Sequence, residues 1–185
     1  MAAVYGEERV NYYTTDYQYS PQAAGLVGGA YVLTWISRGQ DGDVEGIYAQ
    51  RYNASGSAVG AEFRVNTYTA GDQNQPEIAM DATGNFVVSW MSNGQDGQYG
   101  GIYAQRFNSA GIPQGTEFQV NTYTTLSQSD PSIAMDQDGD FVIAWQSNFQ
   151  DGSSLGIYAR RYNSAGVPQG AEFQVNLYTT SDQYG

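Results

Sequence analysis

The sequence predicts an all-β protein, a β-propeller-like array of three four-stranded antiparallel blades with one extra outer strand at the N-terminus. The first observation is a repeat of 55 residues without insertion or deletion, marked by Trp35, Trp90 and Trp145. The second is that each period holds four runs of β-branched and aromatic residues bounded by Gly, Pro, Asn or Asp. No segment has the spacing of an amphipathic helix. A fixed period with four antiparallel strands is typical of a propeller blade.

The phase of the repeat divides the chain into one partial and three complete units. Residues 1–16 contain "ERVNYYTT", which matches the fourth strand of the later copies and is expected to form the extra outer strand and a linker. The complete copies span residues 17–71, 72–126 and 127–185. Three blades are fewer than the roughly four to eight of a closed propeller, so we expect open blade faces at both ends of the array.

The four strands of one copy are clearest in the third repeat. The first is "PSIAMD", and the second is "DFVIAWQS", whose apolar residues lie on both faces and predict a strand covered on both sides. The third and fourth, "GIYARRYN" and "EFQVNLYT", alternate more and are expected nearer the outer edge. The connecting "DQDGD" and "NSAGVPQG" have the composition of hairpin turns.

Three further sets of residues keep the 55-residue spacing. They are the tryptophans Trp35, Trp90 and Trp145, the third-strand aromatics Tyr48, Tyr52, Tyr103, Phe107, Tyr158 and Tyr162, and the asparagines Asn11, Asn66, Asn121 and Asn176. The tryptophans and third-strand aromatics are expected to pack between blades. The asparagines, each after a valine, are expected to satisfy backbone groups at a strand end.

Composition excludes several kinds of chemistry. The chain has no Cys, His or Lys, so thiol nucleophiles, imidazole bases and Schiff-base amines are absent. Seven arginines stand against nineteen Asp and Glu, a net charge of -12, which disfavours nucleic acid and anionic membrane surfaces as partners. The few arginines are expected to pair with carboxylates.

The third copy carries one candidate metal site. Asp136, Asp138 and Asp140 surround Gly139 in a D-x-D-G-D turn, and closely spaced carboxylates are ligands that calcium prefers. A hairpin turn whose Asp side chains accept backbone amides explains the same residues and is the favoured interpretation. Calcium is therefore the one cofactor that the sequence suggests, as the alternative.

The "QDG" triplets form a second candidate site, since repeated rim loops are frequent ligand sites in propellers. The residues in question are Gln40, Asp41, Gln95, Asp96, Tyr99, Gln150 and Asp151. A ligand site would use the Asp and Gln side chains for sugar hydroxyls and the Tyr99 ring for stacking. Asp-Gly is also a common turn dipeptide, and a plain turn is the favoured interpretation.

The segments "FVVSWMSNGQDG…GIYAQRF" and "EFQVNTYTT" resemble tandem propeller-like repeats of large secreted bacterial proteins, which often lie beside RTX or haemolysin-type calcium-binding repeats. The resemblance covers nearly the whole chain and implies an extracellular or cell-surface location, although the N-terminus shows no cleavable signal peptide. It implies no particular reaction.

The surplus strand and the missing closure favour a non-enzymatic structural or adhesive repeat that associates with copies of itself, as a ring or a filament. The alternative is a glycan-binding module that uses repeated loops for multivalent contact. A glycoside hydrolase is less favoured, because equivalent acids in each copy lack the two unlike environments that hydrolysis requires.

Overall fold

The computed structural model describes residues 7–178, and within that range it contains strands, turns and no helix, so no helix there could span a membrane. Blade 1 comprises β1 (Gln18–Gly25), β2 (Tyr31–Arg38), β3 (Glu45–Tyr52) and β4 (Ala58–Arg64). Blade 2 comprises β5 (Gln73–Met80), β6 (Phe86–Asn93), β7 (Gly100–Phe107) and β8 (Phe118–Gln119). Blade 3 comprises β9 (Gln128–Met135), β10 (Phe141–Asn148), β11 (Leu155–Tyr162) and β12 (Phe173–Gln174).

Each blade is an antiparallel sheet whose strands lie in chain order. The first strands are the closest elements between neighbouring sheets, β1 beside β5 and β5 beside β9, which makes them the inner strands of the array. The predicted β-propeller-like fold of three four-stranded blades is confirmed.

The hydrophobic core lies between the blades. One cluster joins blades 1 and 2 and a second joins blades 2 and 3. In β6, Val88 and Trp90 belong to the first cluster and Val87 to the second, which explains why this strand is apolar on both faces. The tryptophans are 5%, 0% and 1% exposed in chain order, so they fill the core as expected.

Each blade has two ends with different connections. The turns between first and second strands and between third and fourth strands lie together, and we call this the hairpin face. The loops between second and third strands, which contain the "QDG" triplets, lie at the opposite end together with the links between blades, and we call this the QDG face.

The outer strand differs between blades for a local reason. In blade 1 it begins at Ala58 and runs for seven residues, but blades 2 and 3 carry Pro113 and Pro168 at that position. Because proline has no backbone N–H to donate, the ladder there is reduced to single bridges, and only two-residue strands, β8 and β12, form further along.

The extra outer strand at the N-terminus is not formed in residues 7–17, and residues 1–6 lie outside the described part of the chain. The equivalent strands β8 and β12 each pair with the third strand of their own sheet. Within the described range, residues 7–17 join no third strand.

The repeated asparagines connect one blade to the next. Asn121 Oδ1 accepts the Ile102 amide at 2.8 Å, while its Nδ2 donates to Tyr123 O at 2.8 Å and to Gln128 Oε1 at 3.0 Å. Asn66 makes the matching bonds one blade earlier. Each asparagine therefore fixes the end of a third strand to the first strand of the next blade.

Candidate functional site

Three equivalent clefts open on the hairpin face. Their volumes are about 220 Å³ at blade 1, about 410 Å³ at blade 2 and about 700 Å³ at blade 3. The same repeat positions line all three, and the clefts of blades 1 and 2 are closed on the far side by residues of the next blade. Each 55-residue copy therefore forms an equivalent cleft as well as an equivalent sheet.

A stacked pair of aromatic rings forms one wall of each cleft. The ring centroids lie 4.8 Å apart in Tyr31–Tyr52, 5.0 Å in Phe86–Phe107 and 4.9 Å in Phe141–Tyr162, with nearly parallel planes. The two rings of each pair occupy directly opposed positions on neighbouring strands. Such cross-strand pairs stabilise the sheet and fix the shape of the cleft wall.

An arginine lies beside each ring pair, at Arg51, Arg106 and Arg161. Arg106 donates across the blade junction to Ser164 O and Ala165 O, both at 2.6 Å. Arg161 is exposed, and its guanidinium has no hydrogen bond or ion pair to residues 7–178, although its backbone carbonyl accepts the Gln169 amide. In the blade 3 cleft the guanidinium N–H groups of Arg161 are therefore free to bind a ligand. In the blade 2 cleft some of those of Arg106 are already bonded to the next blade.

Three other positions of the cleft change together from blade to blade. Blade 1 carries Leu26, Ala30 and Val59, whereas blade 2 carries Asp81, Asn85 and Gln114, and blade 3 carries Asp136, Asp140 and Gln169. All three positions are apolar in blade 1 and polar in blades 2 and 3. The rings and the arginine stay in place, so the same framework supports one apolar and two polar clefts.

The polar groups of the blade 2 cleft are ordered by the turn itself. Asp81 Oδ1 accepts the amides of Thr83 and Asn85 at 2.7 and 3.0 Å, and Asp81 Oδ2 accepts Asn85 Nδ2 at 2.8 Å. Burial alone would raise the pKa of Asp81, but the hydrogen bonds from Thr83 and Asn85 lower it below its usual range. Asp81 is therefore an ionised anchor that positions Asn85.

The glutamines of the QDG loops are engaged within the protein. Gln95 Nε2 donates to Glu117 at 2.6 Å, and Glu117 accepts the Thr67 amide of the previous blade. Gln40 and Gln150 donate to Glu62 and Glu172 in the same way. Each glutamine therefore holds a glutamate of its own blade, and Glu117 and Glu172 link the blades by accepting the Thr67 and Thr122 amides of the previous repeat.

The aspartates of the QDG loops stabilise their own turns. Asp96 Oδ1 accepts the Gln98 amide at 3.0 Å, and Asp151 Oδ1 accepts the Ser153 amide at 3.0 Å. Asp41 does the same for Asp43 at 3.2 Å. Of the seven predicted residues of these loops, Tyr99 is exposed, at 62%, and the six Gln and Asp residues are half-buried.

The D-x-D-G-D turn has the geometry of a hairpin. Asp136 Oδ1 accepts the amides of Asp138 and Asp140, each at 3.0 Å, and Asp140 Oδ1 accepts the Ser164 amide at 2.8 Å. Within residues 7–178 no three acidic side chains converge as a metal site would require. The turn needs these carboxylates for its own amides, and calcium binding stays a prediction.

The cleft has a signal in the sequence that no single motif contains. Arg51, Arg106 and Arg161 recur at the 55-residue period. The expectation that they pair with carboxylates is wrong for Arg51 and Arg106, which donate to backbone carbonyls of the next blade. Among the described residues, the ion pair is Arg38 with Asp16, at 3.8 Å.

Comparison with known proteins identifies the fold. No family model matches the chain, and no curated protein matches it in sequence. An endo-arabinase from Bacteroides thetaiotaomicron is similar in structure, with a TM-score of 0.52, 19% identity and coverage of 84% of this chain and 59% of the enzyme. An α-L-arabinofuranosidase from Lactobacillus brevis is also similar in structure, with a TM-score of 0.51, 7% identity and coverage of 85% of this chain and 54% of the enzyme. The chain thus spans little more than half of either enzyme, and the likeness shows the propeller fold alone.

A fucose lectin from Kordia zhangzhouensis, solved with methyl-fucoside, is 11% identical over 86% of this chain and 99% of the lectin. Its TM-score is 0.47, and this weaker likeness carries no argument.

The expectation of a self-associating structural or adhesive repeat is wrong. The solved proteins that share the fold are an endo-arabinase and an arabinofuranosidase, and neither is named as a structural or adhesive repeat.

Proposed function

We propose that the chain is a non-catalytic carbohydrate-binding propeller module, whose clefts in blades 2 and 3 bind neutral saccharides. The observation that carries this proposal is the joint change of three cleft positions from apolar in blade 1 to polar in blades 2 and 3. Amide, carboxylate and guanidinium groups around a concave surface supply the donors and acceptors that sugar hydroxyls need.

The sizes of the clefts agree with this assignment. Small-molecule sites generally enclose about 300–1,000 Å³. The polar cleft of blade 2, at about 410 Å³, lies in that range, whereas the apolar cleft of about 220 Å³ lies below it. Two sites on one rigid array would give avidity for a repeating glycan.

Binding without catalysis is favoured by the similarity of the two polar clefts. Hydrolysis of a glycosidic bond uses two carboxyl groups whose pKa values are held apart. Asp81 and Asp136 occupy the same repeat position, and each accepts the backbone amides of its own turn. The endo-arabinase and the arabinofuranosidase support carbohydrate as the ligand class, and their catalysis is not carried over.

Isothermal titration with a panel of neutral methyl glycosides and arabino-oligosaccharides tests the proposal. The variant Asp81→Leu/Asn85→Ala/Gln114→Val gives blade 2 the residues that blade 1 carries, so the fold already accommodates this set. The matching set for blade 3 is Asp136→Leu/Asp140→Ala/Gln169→Val. We expect each triple variant to lose one binding site and the combined variant to lose both.

The matched control introduces polar residues at the same positions of blade 1, Ala30→Asn and Val59→Gln, and should leave existing binding unchanged. Unaltered titration of the combined variant would refute the assignment of the clefts. Release of sugar from an aryl arabinofuranoside above the buffer rate would refute binding without catalysis.

A further inference from the structure

A separate cleft of about 390 Å³ opens on the QDG face at the junction of blades 2 and 3. Its lining includes Tyr99, Met91 and Asn93 of blade 2, Leu126 of the link between the blades, and Asn148 of blade 3. None of these residues lines the clefts of the hairpin face, so the two regions can be changed independently.

The polar groups of this cleft are unused. The side-chain amides of Asn93 and Asn148 make no hydrogen bond to any residue of the described range 7–178, although the backbone amides of both are bonded. They end the second strands of neighbouring blades and so approach the cleft from its two sides. Each offers two donors and an acceptor.

The apolar groups of the cleft are a ring and two aliphatic side chains. The Tyr99 ring is 62% exposed, and Met91 and Leu126 line the cleft with it. Leu126 has φ of 61°, a left-handed conformation that is strained for leucine and that Gly71 adopts at the equivalent position of blade 2. Strained residues of this kind concentrate at ligand sites.

The equivalent space between blades 1 and 2 is bridged by the protein itself. Asp43 Oδ2 accepts the Gly71 amide at 2.9 Å, and Glu45 bridges to Asp72. At the corresponding positions blade 2 carries Gln98 and Gly100. The cleft at the second junction therefore follows from a specific change of sequence.

We infer that this cleft is a second saccharide site, in which Tyr99 stacks on the apolar face of one sugar ring while Asn93 and Asn148 bind its hydroxyls. A ring with one apolar face and a polar edge matches the aromatic platform and the two free amides. The choice of a saccharide as ligand rests on the proposed function, but the residues of the site are independent of the hairpin-face clefts.

Nuclear magnetic resonance titration of the full chain tests the inference, with the same panel of methyl glycosides as probes. We expect the side-chain amide signals of Asn93 and Asn148 to shift on titration. Tyr99→Ala should weaken this response about tenfold, and Tyr99→Phe, which keeps the ring, should change it less than about threefold. Tyr17→Ala removes another exposed tyrosine and serves as the control.

The outcomes separate this site from the proposed function. A response that persists in the combined hairpin-face variant and is lost in Tyr99→Ala supports the second site. Binding that disappears with the hairpin-face residues and leaves the two asparagine signals unmoved overturns the second site alone. No response of any residue to the panel overturns both.

Discussion

Replacement of Asn121 by alanine should destabilise the protein by about 3 kcal/mol. The side chain is 3% exposed and makes three hydrogen bonds, to Ile102 N, Tyr123 O and Gln128 Oε1. Each bond contributes about 1 kcal/mol net, and removing one partner leaves the others buried without replacement. For a chain of this size the midpoint of thermal unfolding should fall by roughly 6–12 °C.

Urea unfolding followed by tryptophan fluorescence measures this loss. The matched control is Asn11→Ala, because Asn11 precedes blade 1 and bonds Tyr13 and Gln18, while its Oδ1 accepts no backbone amide within residues 7–178. With two half-buried bonds in place of three buried ones, we expect a loss of about 1–2 kcal/mol for this control. Equal losses for both variants would refute the idea that the asparagine derives its energy from joining two blades.

Three further predictions concern single residues. Gly166→Ala would place a Cβ 2.7 Å from Arg106 Cδ and should displace that arginine. It should lower the melting temperature more than the control Gly115→Ala, because Gly115 has the same left-handed backbone but open space around it. Equal melting temperatures for the two variants would contradict the contact. Burial raises the pKa of Glu77, so the folded state is disfavoured as pH rises above about 4, where the unfolded glutamate ionises first. In urea unfolding, Glu77→Gln should therefore gain stability relative to wild type as pH rises from about 4 toward neutrality. A difference that stays constant with pH would contradict the shift. Because Asp136 bonds the amides of its own turn, EDTA should leave the melting temperature unchanged, and a fall would indicate a bound cation.

Much of the fold was predictable because each copy repeats the same local pattern. The position of Trp90 on a strand apolar on both faces predicted a blade covered from both sides, and the structure shows two core clusters meeting there. The outer strand was less predictable. The alternation in "EFQV" predicts a full strand, but Pro113 limits the pairing to a single bridge and the two-residue strand β8. The N-terminal copy of that strand depends on a pairing partner that the local sequence cannot supply.

The candidate site was harder to predict because two blades contribute to it. Arg106 lies on one repeat, while its hydrogen-bond acceptors, Ser164 and Ala165, lie on the next. The single motifs indicate the QDG loops, where Gln95 instead donates to Glu117 of its own blade, and Glu117 accepts the Thr67 amide of the previous repeat. The three positions that change from apolar to polar between repeats can be read from the sequence. That they line one cleft can be seen only in the structure.

A crystal structure of the chain with the saccharide that binds most tightly in titration tests the central claim most directly. The account predicts sugar in the polar clefts of blades 2 and 3, within hydrogen-bond distance of Gln114 and Arg161, and none in the apolar cleft of blade 1. Sugar bound only outside the polar clefts, or equally in all three, would contradict it.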